Sequence, residues 1–473
     1  MRTLLFWLAL LIMVHAKGQL TFEKTYCFAS QATAITTNYD SGYIVLCRDY
    51  QSQNLLMRLD KYGDTIWAKP GMFVSDCEIS NDTCIVTLNL SVNDDLMLTK
   101  LDQAGGKIWE KKIGGFTTVF NDILKTPDNG YLLTGAFYDT NTFEYSAGFI
   151  KTDSFGDTLW TQRFSDGNVN TLEVGYSSII GNDGNYYFCG TTYDYSVTFL
   201  PYTLLVGSLT PLGILRFSKI FHNSIGNFAE YAGAICNLPL DGFMVCTTCD
   251  TNGNNDNAIR LYRFTNTCDT LWSRFIDSEG KKSDGYEMCM TNDGNIMIAG
   301  DLMLESPSTM YQRAYMAKVD TSATIIWERQ MSDYYSVFWS VCNTLDDGFA
   351  FWGGEKCEDK FYVCYLAKTD EDGLITGIGE TLTGRKPVPY AIEPNPIAGH
   401  TISLRASEGF QGPLHFEVLS STGQCVYKGL ANPGAGSSRA NIQLPELAKG
   451  LYLLVLQPLT SQLPATTLKL LVD

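Results

Sequence analysis

The stretch Leu59-Asp60-Lys61-Tyr62-Gly63-Asp64-Thr65-Ile66-Trp67 decides the reading of this chain, because it recurs. Copies run from Leu101-Asp102 to Trp109, Thr152-Asp153 to Trp160, Phe264-Thr265 to Trp272 and Val319-Asp320 to Trp327. A degraded copy, Leu209-Thr210 to Phe217, carries Phe in place of Trp. In each, the Asp or its Thr substitute stands seven positions before the aromatic. The aromatics at 67, 109, 160, 217, 272 and 327 are 42 to 57 residues apart, the period of a propeller or a repeat array.

One copy has the physics of a hairpin. The apolar run Leu55-Leu56-Met57 enters the turn at Asp60, whose carboxylate can bond the backbone two residues on. Gly63 supplies the positive φ such a turn needs, and Ile66-Trp67 begin the return strand. Asp153, Gly156 and Trp160 repeat this arrangement. In the Asp102 copy the glycine is read one place later, at Gly106. Cys268 and Ala323 replace glycine in two copies, which predicts turns of a different form there.

A second phrase, a turn followed by an apolar strand, precedes each copy. It reads Ser41-Gly42-Tyr43-Ile44-Val45, Asn129-Gly130-Tyr131-Leu132, Asp183-Gly184-Asn185-Tyr186, Asp241-Gly242-Phe243-Met244, Asp293-Gly294-Asn295-Ile296 and Asp347-Gly348-Phe349-Ala350. Asp82-Thr83-Cys84-Ile85-Val86 is a weaker seventh version. Near-continuous apolar strands imply burial on both faces. Four strands per unit and seven units predict an all-β fold, a seven-bladed β-propeller over residues 19–381. The seventh unit keeps Tyr365 to Asp370 but has Gly377 where the Trp belongs. Leu20 to Tyr26 reads as its missing outer strand, with Phe22 in the Trp slot, closing the ring without an open edge.

Residues 1–16 read as a targeting segment: Arg2, an apolar run from Leu4 to Val14, and the small-residue signal Val14-His15-Ala16. That run is too short to span a bilayer, and no later one approaches the needed length. A net charge of −17 argues against nucleic acid or an anionic membrane as partner. The fourteen cysteines leave two readings open: buried thiols in register, as at Cys77, Cys236, Cys289 and Cys342, or disulfides of an exported chain. Cys77/Cys84 and Cys357/Cys364 are the candidate local bridges, while Cys246-x-x-Cys249 reads as a strand end.

Chemistry-bearing motifs are sparse. The repeat region holds one histidine, His222, so a His-rich metal site or a Ser-His-Asp triad is hard to assemble there. Asp250-Thr251-Asn252-Gly253-Asn254 resembles the start of a calcium loop but lacks its later ligands, having Asn255 and Leu261 where Gly and Glu belong. No catalytic residue, cofactor site or metal site is assigned. Arg58, Lys100, Lys151, Arg263, Lys318 and Lys368 each stand two places before the Asp or Thr. They read as blade-edge pairing rather than a ligand-binding ring of charge, because they recur with the repeat. Trp67, Trp109, Trp160, Trp272 and Trp327, with Asp60, Asp102, Asp153 and Asp320, are the structural markers.

After the repeats, residues 382–388 read as a Gly/Pro-bearing linker, and 389–473 as a separate small β-sandwich with short, regularly spaced strands. Glu393-Pro394-Asn395-Pro396, then Ser421-Thr422-Gly423-Gln424, then Lys449-Gly450-Leu451-Tyr452, and a close on Leu468-Lys469-Leu470 together resemble the C-terminal sorting domain of type IX secretion, type A. The chain ends in Asp473, where that family more often ends in a basic residue. The resemblance covers about the last 85 residues by subtraction from 389 to 473. It implies export by a Bacteroidetes-type system and removal of the domain, with release or surface attachment. It marks Pro394, Asn395, Pro396, Gly423, Gly450, Tyr452 and Lys469 as sorting-motif residues and the secretion machinery as partner. The repeat region resembles uncharacterised Bacteroidetes β-propeller repeat proteins, which implies no function.

Three functions fit these observations. The first is a secreted or surface-displayed scaffold binding a glycan or protein ligand. The second is a polysaccharide-active enzyme using paired carboxylates, for which no pair stands apart from the repeat. The third is a spacer in an adhesive array.

Overall fold

The computed structural model describes residues 19–375 and 390–472, apart from short stretches such as 222–228, 253–255, 277–280, 357–361, 394–399 and 421–424. The targeting segment 1–16 and the linker 382–388 lie outside the described residues. Every element described is a strand. The chain divides into two units, Met1–Thr381 and Leu382–Asp473.

In the first unit, the described strands form seven antiparallel four-stranded sheets. Six are built from four consecutive strands; we number them as blades from the one that begins at Ala29. The seventh combines Ser336–Asn343, Phe349–Lys356 and Tyr362–Thr369 with Phe22–Tyr26 from the start of the chain. That last pairing runs from Phe22↔Lys368 to Tyr26↔Cys364. Seven apolar clusters fill the seven interfaces between neighbouring blades, including the one between the seventh and the first. The sheets therefore close into a ring, and the unit is a β-propeller.

The recurring stretch builds the outer hairpin of each blade. The Asp60 carboxylate accepts from the backbone N–H of Tyr62 and of Asp64, both at 2.8 Å. Asp153, Asp320 and Asp370 repeat both bonds. Asp102 accepts from Gly106, and Thr265 and Thr210 use their hydroxyls. Three places after each cap stands a residue in the left-handed region: Gly63, Gly105, Gly156, Gly213, Cys268, Ala323 and Gly373. Two expectations are corrected here. The turn glycine of the Asp102 copy is Gly105, in register with the others, and not Gly106. Cys268 and Ala323 adopt the same conformation, φ 54° and 61°, rather than a different turn. The cap and the paired backbone bonds hold the turn shape even where the residue bears a Cβ.

Each aromatic marker packs on the left-handed turn of the next blade. A Cβ placed on Gly156 would meet the Trp109 ring at 2.9 Å, one on Gly213 the Trp160 ring at 2.6 Å, and one on Gly373 the Trp327 ring at 2.3 Å. Phe22 covers Gly63 in the same way, at 2.7 Å. Trp67 Nε1 donates to the Gln103 carbonyl at 2.9 Å, and Trp160 Nε1 to that of Pro211 at 3.0 Å. Trp272 packs with Ala323, and Phe217 with Cys268. The repeat is thus a buckle between blades, which is why aromatic and turn travel together.

Five of the six basic residues, all but Arg263, pair within their own blade, with the Asp of the preceding inner turn. The distances are 2.6 Å for Arg58–Asp40, 2.7 Å for Lys100–Asp82, 2.8 Å for Lys151–Asp128 and Lys318–Asp293, and 3.0 Å for Lys368–Asp346. The lysine stems are buried while the carboxylates reach solvent. Among the described cysteines, Cys77 and Cys84 are both free thiols. Cys77 and Cys84 are therefore not bridged, which corrects that candidate pair; Cys77 is in the core and Cys84 at the rim. Cys357, the proposed partner of Cys364, lies outside the described residues. Cys246 and Cys249 lie on the strand Phe243–Asp250, both buried.

The second unit has a three-stranded and a four-stranded sheet over one apolar core that includes Ile402, Phe416, Val418, Ile442, Leu454 and Leu470.

Candidate functional site

The innermost strand of a blade borders the channel of a propeller. In all seven blades that strand carries a β-bulge at the same point. It leaves Thr33, Ser75, Asn121, Tyr176, Gly233, Tyr286 and Trp339 outside the ladder. A bulge re-aims the side chains beside it. The position is constant, but the residue differs in nearly every blade.

One place after the bulge stand three carboxylates, Asp76, Asp122 and Glu287. Asp76 accepts from the Ile123 backbone N–H of the next blade at 3.1 Å. Asp122 accepts from the Ser178 N–H at 3.1 Å and its hydroxyl at 2.7 Å. Ser340 plays the same part across the closing seam, accepting from Ile35 N–H at 3.3 Å. Burial, and next the charge of Asp122, push Asp76 well above the usual carboxylate range. Asp122 is raised to about 7, chiefly by burial. Glu287 is raised to about 8 by burial, with Asp76 adding to it. Asp76 and Asp122 thus bond the backbone of the next blade and tie the ring together, whereas Glu287 accepts from the N–H of its own neighbour Met288 at 3.1 Å.

A second arrangement lies among blades four, five and six. Tyr176, Tyr231 and Tyr286, one from each blade, border a cleft of about 480 Å³ together with Thr248, Asn257 and Asp284. The close approach of blades five and six underlies it: a Cβ on Gly233 would lie 2.7 Å from the Gly285 carbonyl. Thr248 Oγ1 accepts from Gly285 N–H at 3.0 Å and fixes that edge. Asn257 Nδ2 donates to Asp284 Oδ1 at 2.7 Å. Burial raises Asp284, and the Asn257 bond partly offsets this. Asp284 sits opposite Asp301 on the adjacent strand. Asp301 is fully buried and raised to about 7 by burial and by the Asp284 charge.

Aromatic rings continue away from the cleft on both sides. Tyr231 meets Tyr202 at 4.3 Å between centroids, and Tyr202 meets Tyr193 at 4.7 Å. On the other side Tyr286 meets Trp339 at 4.3 Å. Tyr231 keeps 39% of its surface exposed.

The sequence markers stand elsewhere. Trp67, Trp109, Trp160, Trp272 and Trp327, with Asp60, Asp102, Asp153 and Asp320, belong to the outer buckles. Of the sorting-motif residues, Pro394, Asn395, Pro396 and Gly423 lie outside the described residues. Gly450 opens the strand Gly450–Pro458 and pairs with Val472, and Lys469 on the last strand pairs with Leu453. The Tyr452 hydroxyl donates to the Ala448 carbonyl at 3.0 Å. In the calcium-like stretch Asp250 accepts from Asn252 N–H at 3.1 Å, and 253–255 are not described. His222 also falls outside the described residues. Among those described, no three His, Cys, Asp or Glu side chains are grouped to hold a metal. No described helix is long and apolar enough to cross a membrane.

Sequence reasoning missed the cleft. The usable signal was the dipeptide Gly-Tyr at 175–176 and again at 285–286, at the same distance from the inner turn as the bulge.

No protein-family model and no curated protein matches the chain. Among solved structures, the ulvan lyase PL25 bound to -[GlcA(1-4)Rha3S]- is similar, with a TM-score of 0.50 at 9% identity, over 74% of this chain and 96% of that one. The β-propeller domain of the trilobed protease from Pyrococcus furiosus gives 0.44 at 10% identity, over 74% and 99%. PorZ, a type IX secretion component of Porphyromonas gingivalis, gives 0.28 at 10% identity, over 94% and 82%. The first likeness shows a shared fold alone; the other two are too slight to support more.

Proposed function

We propose that this chain is an exported, seven-bladed β-propeller that binds glycans in the cleft between blades four, five and six. The observation that carries the reading is the meeting of Tyr176, Tyr231 and Tyr286 from three blades around Asn257 and Asp284. Tyrosine offers an apolar face with a polar tip, suited to the C–H faces and hydroxyls of a sugar ring. The cleft volume of about 480 Å³ falls in the range of ligand sites. Its form supports binding over hydrolysis. Cleavage of a glycosidic bond uses two carboxylates flanking it, whereas among the described residues Asp284 alone lines the cleft and Asp301 is fully buried behind it.

The test is calorimetric titration of the full chain with a panel of oligosaccharides, beside Tyr231→Ala. Binding by the parent chain that weakens at least about tenfold in the variant supports the reading. Equal binding by both places the ligand elsewhere.

The export reading rests on the resemblance of residues 389–473 to the type IX sorting domain, which we read as a small β-sandwich. Its Lys-Gly-Leu-Tyr element leads into the strand that pairs with the last strand of the chain. In a host with type IX machinery, a chain ending at residue 384 should remain in the periplasm as a folded propeller. Equal appearance of the truncated and full chains in the medium or at the surface contradicts it.

A further inference from the structure

We infer that this cleft selects glycan chains that carry no anionic groups, a refinement that rests on the glycan-binding reading above. Recognition of a uronate or a sulfate calls for Arg, Lys or a concave set of backbone N–H groups. No Lys, Arg or His is among the described residues that line the cleft. The sequence segments 222–228, 253–255 and 277–280, which lead into or join the strands of blades five and six, contain no Lys or Arg, and one histidine, His222.

Two cations of blades five and six are engaged elsewhere. Lys282 pairs with Asp256 at 2.6 Å. Arg260 lies 3.7 Å from Glu230 and stacks on the rings of Tyr262 and Phe275, at 4.7 and 5.2 Å. Glu230 also accepts from Thr247 at 2.7 Å and Tyr262 at 3.1 Å, and Arg260 Nη2 donates to Ser273 at 2.9 Å, all within blade five.

What the cleft does present is acidic. Asp284 lines it, and Asp301 stands across the ladder behind it. A sulfate or carboxylate entering there meets like charge in a partly desolvated site, where repulsion is screened less than in water. An uncharged pyranose meets complementary groups. Its ring faces pack on the tyrosines and its hydroxyls donate to Asp284. The Asn257 amide, whose N–H₂ already holds Asp284, keeps an oxygen to accept.

The experiment titrates the full chain with uncharged oligosaccharides of several backbones (glucan, mannan, xylan and galactan) and with uronate-bearing and sulfated ones. Asp284→Asn and Asp284→Lys run in parallel, each checked for an unchanged melting transition. At least one uncharged chain is expected to bind, and every anionic one to bind at least about tenfold more weakly. Asp284→Asn, which keeps the shape, should weaken the uncharged ligand, and Asp284→Lys should gain anionic binding. An anionic oligosaccharide that binds the parent as tightly as the best uncharged one overturns this inference and leaves the glycan reading standing. Failure of every oligosaccharide to bind sinks the glycan reading, and the refinement with it.

Discussion

The two halves of each inner strand follow opposite rules. Toward the inner turn the blades repeat themselves: in five of the seven the basic residue two places before the cap pairs with an inner-turn Asp, and in every blade an Asp or Thr side chain caps the outer hairpin. On the bulge side the blades diverge. Thr33, Ser75, Asn121, Tyr176, Gly233, Tyr286 and Trp339 occupy one structural position, yet range from no side chain to the largest. The difference teaches where each task lies. Closing a ring of blades is one problem posed seven times, and one solution serves each time. A ligand site breaks that symmetry, so it must be built where the repeat is free to vary.

The comparison can be broken most severely at the closing seam. Deleting residues 20–26 removes Phe22–Tyr26 from blade seven and its Phe22 buckle to Gly63. It leaves an open edge along Tyr362–Thr369 and should cost most of the folding stability, commonly about 5–15 kcal/mol. Thermal unfolding that matches the parent chain would contradict this.

A smaller effect is expected within a single buckle. Gly213→Val forces a β-branched residue into φ 80° against the Trp160 ring and should cost about 2–4 kcal/mol. Ala323→Gly, at the same position of another blade, should stay within about 1 kcal/mol of the parent. Denaturant midpoints compare the two; equal losses would show that the left-handed turn is not what limits the site.

The channel acids set a pH dependence. Asp122 and Glu287 bind protons more tightly when folded, with values near 7 and 8. Their contribution is fully present below the unfolded carboxylate range of about 4 and is lost as pH rises through 7 and 8. Asp82 and Asp293, held near 2 chiefly by their lysine partners against burial, act oppositely: their contribution is lost as pH falls from about 4 toward 2. Melting temperature should therefore peak near about pH 4 and decline as pH rises from there to about 8. Asp122→Asn should flatten that decline, and an unchanged slope would remove these acids from the account.

The propeller was legible in the sequence because its buckle needs an aromatic, a capped turn and a left-handed residue at fixed spacing. Short-range backbone chemistry of that kind shows in one dimension. The form of the turns at Cys268 and Ala323 was misread because the cap holds the conformation that glycine only makes easier. The cleft was hidden for a different reason. Tyr176, Tyr231 and Tyr286 stand 55 residues apart by subtraction, and only strand pairing shows that two of them occupy bulges. Asp284 looked like one acid among many, since nothing local indicates that it faces Asn257 from another blade.

The most direct measurement compares two exposed tyrosines from the two sides. Tyr231 lines the cleft and is 39% exposed, while Tyr62 stands on an outer turn at 52%. Each is changed to Ala, and the full chains are titrated with the best uncharged oligosaccharide. Both variants should melt within about 1 kcal/mol of the parent. Tyr231→Ala should lose binding at least about tenfold, and Tyr62→Ala should bind as the parent does. Retained affinity in Tyr231→Ala with loss in Tyr62→Ala would place recognition on the repeated side and contradict the account.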